Sequence, residues 1–146
     1  MATTFKIEVA AAPEQVFDYL ADVRRHPEWA NPKAKMAAEQ VAGDGPGQGA
    51  AYRTQALFVN KPVTADVQVT AYERPRRFSI RSDQHQEGKK DVWYENEFTL
   101  TRSPGGTLIS KRTTSNGNPV VGLVAYPAIR GDALTSLRSL KAHLES

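Results

Sequence analysis

The sequence has no cysteine among its 146 residues. A chain without cysteine has no disulfide framework, no thiolate nucleophile and no zinc site built on thiolates. A long apolar run is also missing: the longest, from Val120 to Ile129, covers about half of the ~20 residues that a membrane span needs. Nor is charge of one sign abundant, because 19 Lys and Arg against 16 Asp and Glu leave +3. We therefore expect no integral membrane association and no nucleic-acid partner.

The N-terminus and the chain length set the compartment and the domain count. Lys6 and Glu8 interrupt the stretch that a secretory signal would keep apolar. We therefore expect a cytoplasmic protein. A chain of 146 residues holds one sizeable core, and no linker or repeat divides it, which predicts a single domain over 1–146.

The first third of the chain changes from a strand pattern to a helical one. Apolar and polar residues alternate over residues 3–9, which predicts a strand with one buried face. Pro13 and Glu14 then suit a first helical turn, because proline has no N–H to leave unpaired and glutamate complements the helix N-terminus. A second short helix is expected to bend or end at Pro27, with Trp29 just beyond it.

Residues 35–115 have the pattern of consecutive strands joined by short turns. Runs with a period of two are separated by turn signals such as Glu73-Arg74-Pro75 and Ser103-Pro104-Gly105-Gly106. Short connections between neighbours predict an antiparallel meander with one buried face. The fold class is α+β, with a curved antiparallel sheet of about seven strands that must cover its apolar face with a helix.

A long amphipathic helix closes the chain. Leu134, Leu137, Leu140 and Leu144 recur every three or four residues, and the stripe extrapolates backwards to residues 123, 127 and 130. The helix is expected to begin near Pro119 and to bend at Pro127, and the sheet to wrap around it.

The N-terminal half of this helix favours a cavity. It offers Gly122, Ala125, Ala128 and Gly131, whose small side chains leave space beside the sheet. The alternative is that small residues let the helix lie flat on a filled core. In the first case the cavity has an apolar wall and a few polar groups, the composition of a small-molecule site. The predicted ligand-binding residues are Trp29, Tyr52, Phe58, Val67, Val69, Phe78, Ile80, Tyr94, Asn96, Phe98, Leu123, Tyr126, Pro127 and Arg130.

Catalytic groups are not evident, and the catalytic residues stay unknown. His26 and His143 are expected in solvent, and strand alternation puts His85 on the outer face or at a strand end. Glu95 also lies on the outer face unless the facing of its strand is reversed, in which case it becomes the best acid or base. The dispersed histidines predict no metal site, and no cofactor is expected.

Residues 11–29, Ala-Ala-Pro-Glu-Gln-Val-Phe-Asp-Tyr-Leu-Ala-Asp-Val-Arg-Arg-His-Pro-Glu-Trp, resemble the N-terminal signature of a known family. It is the polyketide cyclase/dehydrase and lipid-transport superfamily, also called SRPBCC or START-like. Later segments are similar too: Tyr52-Arg53 after Gly49, the run from Tyr72 to Phe78, and Leu137-x-x-Leu-Lys. The resemblance implies a single START-like domain with a helix-grip fold around an internal hydrophobic cavity.

The resemblance leaves the function open between classes. One is binding or transport of a hydrophobic molecule, lipid-like or aromatic, in the cavity. Another is a polyketide cyclase/dehydrase-type enzyme acting on a poly-keto or related substrate, which needs a base that only Glu95 or His85 would supply. A third, a protein-interaction module, needs an exposed apolar patch that the sequence does not indicate. The oligomeric state stays unknown.

Overall fold

The structure is a computed structural model that describes residues 2–146. Its helices are α1 (Pro13–Leu20), α2 (His26–Trp29) and α3 (Pro119–Glu145), and 3-10 turns cover Val23–Arg25 and Pro32–Ala34. The strands are β1 (Ala2–Val9), β2 (Ala37–Ala42), β3 (Ala51–Phe58), β4 (Lys61–Glu73), β5 (Arg77–His85), β6 (Val92–Ser103) and β7 (Gly106–Ser115).

All strands belong to one antiparallel sheet. The order across the sheet is β1-β7-β6-β5-β4-β3-β2, so that β2 to β7 form a meander and β1 joins it beside β7. The register shifts between Gln40 and Ala42 and again between Val69 and Ala71. Such bulges increase the bend and twist of a strand, which suits a sheet curved around a helix. The predicted α+β class and the helix-grip arrangement are both confirmed.

The helix ends follow from local chemistry. Pro13 starts α1 and Glu14 lies in its first turn. At the start of α3, the Asn118 side-chain oxygen accepts a hydrogen bond of 2.9 Å from the Val120 backbone N–H, and Pro119 occupies the first turn. The helix continues through Pro127, whose missing N–H removes one helical hydrogen bond without ending the helix.

The apolar core fills one end of the concave face. The C-terminal half of α3 and the helix α1 cover the sheet here, and α3 makes its main contacts with β1, α1 and α2. Phe17 of α1 meets Phe78 of β5 edge-to-face, with ring centroids 6.3 Å apart. The largest fully buried side chains include Tyr52, Phe17, Phe78, Phe98, Leu20, Ile109, Leu137 and Leu140.

Candidate functional site: an open groove between the last helix and the sheet

The two halves of α3 differ in how they meet the sheet. All of the helix's buried residues, from Ala133 to Leu144, lie in its C-terminal half. In the N-terminal half, residues 119–131, no residue is buried, and the best-covered ones are only half-buried: Gly122, Ala125, Tyr126 and Ile129. The N-terminal half of α3 therefore does not pack tightly against the rest of the protein.

The sheet shows the same division on its inner face. Val67, Val69, Phe78, Ile80 and Phe98, all predicted ligand-binding residues, are buried. Tyr52, another predicted residue on this face, is fully buried as well. The other predicted strand residues share the face but are only half-buried: Phe58, Tyr94 and Asn96. We call the surface formed by these half-buried side chains and the half-buried face of the N-terminal half of α3 the open groove.

Three predicted positions on α3 are wrong in their orientation. Leu123 is 71% exposed, and Pro127 and Arg130 are exposed as well, so none of them faces the sheet. The predicted stripe ran backwards from Leu134, which is only half-buried, and the buried position is Ala133. Neighbouring residues point about 100° apart around a helix, so a stripe anchored on Leu134 instead of Ala133 is rotated away from the inner face over the N-terminal half. Tyr126 is correctly placed beside the groove.

The facing of β5 and β6 keeps the two candidate bases away from the groove. Phe98 and Leu100 are buried, and the pairing of β6 with β5 and β7 runs without a shift, so Glu95 lies on the outer face. His85 is exposed at the end of β5, where its Nδ1 lies 2.8 Å from a carboxylate oxygen of Asp91. The predicted parity of both strands is confirmed.

His26 lies in the core, and its predicted place in solvent is wrong. The side chain is 5% exposed, and its Nε2–H donates a 2.7 Å hydrogen bond to the Leu20 carbonyl oxygen. Burial lowers the pKa of His26 to about 4, so that the ring is neutral at physiological pH. The short turn before α2 directs the ring inward, where its centroid lies 4.8 Å from that of Trp29 and 6.4 Å from that of Phe78.

Lys111 of β7 is the inner-face residue that the sequence analysis missed. It pairs directly with Phe98 across the sheet, and its Nζ lies 5.9 Å from the centre of the Phe98 ring. Burial lowers the pKa of Lys111, and the carboxylate of Asp132 on α3 opposes this shift. A parity argument would have found it, because Ile109 is fully buried and residue 111 must share its face.

Two further buried polar groups have no partner. Trp29 is 6% exposed, and among residues 2–146 its indole N–H makes no hydrogen bond. The hydroxyl of Tyr52 is likewise buried and unpaired within the described chain, and burial raises the pKa of this phenol. By contrast, the Asn96 side-chain oxygen accepts a 2.7 Å hydrogen bond from the Thr113 hydroxyl. Buried donors without acceptors are uncommon, and each costs free energy.

Two depressions also mark the protein surface away from the groove. One, of about 270 Å³, lies beside the turn between β5 and β6 and is lined by Asp66, Asp83, Gln84, His85, Asp91, Val92, Trp93 and Asn116. The other, of about 210 Å³, lies at the β2 edge and is lined by Ala37, Ala38, Glu39, Arg53 and Gln55. Neither depression includes a predicted ligand-binding residue.

An apolar patch covers the first turns of α3, contrary to the expectation from the sequence. Val120, Val121, Leu123 and Val124 are between 63% and 78% exposed. They lie at the end of the molecule where the open groove is. Among residues 2–146, no helix has the length and apolar content to cross a bilayer.

Comparison with known proteins identifies the architecture. The chain is similar to the crystal structure of protein Ms6760 from Mycobacterium smegmatis, with a TM-score of 0.76 and 21% identity. The match covers 98% of this chain and 90% of that one. The chain is similar to the AHSA1 (SPO3351) protein from Silicibacter pomeroyi, with a TM-score of 0.73, 18% identity, and coverage of 99% and 97%. It is also similar to Ara h 8.0201, with a TM-score of 0.72, 15% identity, and coverage of 99% and 97%.

At these identities the structural similarity shows the fold alone, and none of the curated proteins matches the chain. Sequence comparison goes further. The family model described as "Polyketide cyclase / dehydrase and lipid transport" matches residues 2–145. This span includes every strand of the sheet and the whole of α3. The chain therefore belongs to the polyketide cyclase/dehydrase and lipid-transport family.

Proposed function

We propose that the protein binds a hydrophobic small molecule, lipid-like or aromatic, in the open groove. One observation carries the proposal: Phe58, Tyr94 and Asn96 on the inner face of the sheet stay half-buried, and α3 packs tightly only through its C-terminal half. Apolar area that a ligand covers contributes about 25 cal/mol per Å² before ordering costs are subtracted. The family supports the same class of function, since it includes lipid transport by description.

The alternative of a cyclase or dehydrase has less support. Such a reaction needs a group that removes a proton next to a carbonyl, placed within hydrogen-bond reach of the substrate. Glu95 and His85 were the candidates, and both lie on the outer face or at its end. A binding function requires no such group, which is why we favour it.

Filling the groove is expected to prevent binding. Nile red, a neutral dye whose fluorescence rises in apolar surroundings, serves as the probe. Ala125 faces the groove, so Ala125→Trp places an indole where the ligand would lie, and we expect at least about a tenfold rise in the dissociation constant. The measurement is a fluorescence titration together with a thermal melt of each variant.

Ala128→Trp is the matched control, because Ala128 is exposed on the same helix one turn away. It should bind Nile red as the wild type does. If the wild type does not bind Nile red, or if both variants bind equally well, the groove is not the binding site. A large fall in melting temperature for Ala125→Trp alone, without wild-type binding, would show that the space is filled by packing.

A further inference from the structure

Lys111 places a cation on the inner face of the sheet without a counter-ion. Within residues 2–146 it forms no hydrogen bond and no ion pair, and its closest described partner is the ring of Phe98. Lys111 is half-buried, and desolvation penalises the charged form of a lysine that leaves water without finding a partner. On the outer face, by contrast, Arg77 reaches carboxylate oxygens of both Glu73 and Glu97.

One acidic side chain acts on Lys111 but does not neutralise its charge. Asp132 of α3 acts on Lys111 through its charge, yet the pair is too far apart to form an ion pair. One carboxylate oxygen of Asp132 instead accepts a 3.1 Å hydrogen bond from the side-chain amide of Asn31. The ammonium group of Lys111 is therefore left for another acceptor.

A second buried donor, in the same cluster of rings as Phe98, also lacks an acceptor. The indole N–H of Trp29 is buried and unpaired in the described chain. Trp29 and Lys111 are linked through one row of rings, because Trp29 contacts His26, His26 contacts Phe78, and Phe78 stacks on Phe98 at 6.2 Å. His26 donates its Nε2–H to a backbone carbonyl, so it does not supply an acceptor through that nitrogen.

We propose that the ligand of the open groove is an amphipathic carboxylic acid, whose carboxylate pairs with the Lys111 ammonium while its apolar body lies between the sheet and Tyr126 and Ile129 of α3. The inference rests on the proposed binding function and narrows its ligand class. A wholly apolar ligand would cover Lys111 further without pairing it, which raises the cost of burial. A single carboxylate supplies the missing acceptor, and hydrogen bonds between charged partners are among the stronger ones.

The test compares decanoate with decanol, which have the same chain length and differ in the head group. Each competes against Nile red for wild-type protein, Lys111→Met and Lys6→Met. Methionine keeps the apolar stem and removes the charge. Lys6 is exposed on the outer face of β1, the strand next to β7, and serves as the matched control.

Lys111→Met should weaken decanoate binding at least about tenfold and change decanol binding by less than about threefold. Lys6→Met should leave both unchanged. The melting temperature of Lys111→Met should equal or exceed that of the wild type, because an unpaired, half-buried charge has been removed. This melt separates loss of the ion pair from loss of the fold.

Each other outcome counts against a different proposal. If Nile red and decanol both fail to bind the wild type, the binding function itself is rejected, and the carboxylate inference with it. If Nile red binds the wild type, but Lys111→Met weakens the binding of decanoate and decanol equally or leaves both unchanged, the proposed role of Lys111 is overturned. The proposal that the groove binds a hydrophobic molecule is then retained. If Lys111→Met and Lys6→Met weaken decanoate binding equally, Lys111 acts only through the net charge of the protein, and its pairing with the carboxylate is overturned.

Discussion

Acidification from neutral pH to about 4 is expected to destabilise the wild-type protein by about 3 kcal/mol more than the His26→Gln variant. The cause is the burial of His26, which holds its pKa at about 4 in the folded state against 6.5 in an unfolded chain. Between these values the unfolded chain binds a proton that the folded protein refuses.

The sign follows from proton uptake. Because the folded pKa is lowered, the stability contributed by neutral His26 is complete above pH 6.5 and is lost as the pH falls to about 4. The carboxyl groups of Asp18, Asp22 and Glu145 act in the same direction, since a basic side chain lowers the pKa of each. Their contributions are common to wild type and variant and cancel in the difference.

The measurement is the free energy of unfolding from urea titrations at several pH values. Gln in place of His26 keeps a side-chain N–H for the Leu20 carbonyl oxygen but cannot take up a proton. His143→Gln is the control, because His143 is exposed on α3, and this variant should retain the acid sensitivity of the wild type. A His26→Gln curve parallel to that of the wild type would show that His26 is not the group that titrates.

The sheet was predictable because its information is local. A period of two fixes which residues share a face, and a single buried pair such as Phe98 and Leu100 then tells which face is inside. The short turns restrict neighbouring strands to antiparallel pairing. The pairing of β1 with β7 is a long-range contact that alternation does not encode, and here the family resemblance supplied the helix-grip arrangement.

The site was less predictable because it depends on how elements meet. The helix stripe failed over its N-terminal half, where small side chains replace leucines and a rotation of one residue moves Leu123 from the inner face to solvent. His26 looked like a solvated end of a helix because its neighbours Arg24 and Arg25 are charged. Lys111 was overlooked because charged residues are usually outside, although its parity placed it beside Phe98.

The orientation of Lys111 depends on the register of β7, and the strand begins at a constrained position. Gly106 has a φ of +139°, which L side chains rarely adopt. A Cβ atom here would press against the carbonyl oxygen of Val9 and lie 2.8 Å from the backbone nitrogen of Ala11. The next residue, Thr107, donates a 2.7 Å hydrogen bond from its hydroxyl to the Ala11 carbonyl oxygen. The start of β7 is thus held against the link between β1 and α1.

Gly106→Ala is therefore expected to lower the free energy of unfolding by about 3 kcal/mol or more, because backbone rather than a flexible side chain must move. Gly131→Ala is the contrasting variant: its Cβ would meet open space on α3, and alanine should stabilise the helix by about 0.5–1 kcal/mol. Urea titrations of both variants measure these changes. If Gly106→Ala unfolds at the wild-type midpoint, the contact with Val9 does not hold the start of β7.

A folded Gly106→Ala protein that still prefers decanoate to decanol would show that Lys111 keeps its inward orientation without that contact, since a slip of one residue would turn it to the outer face.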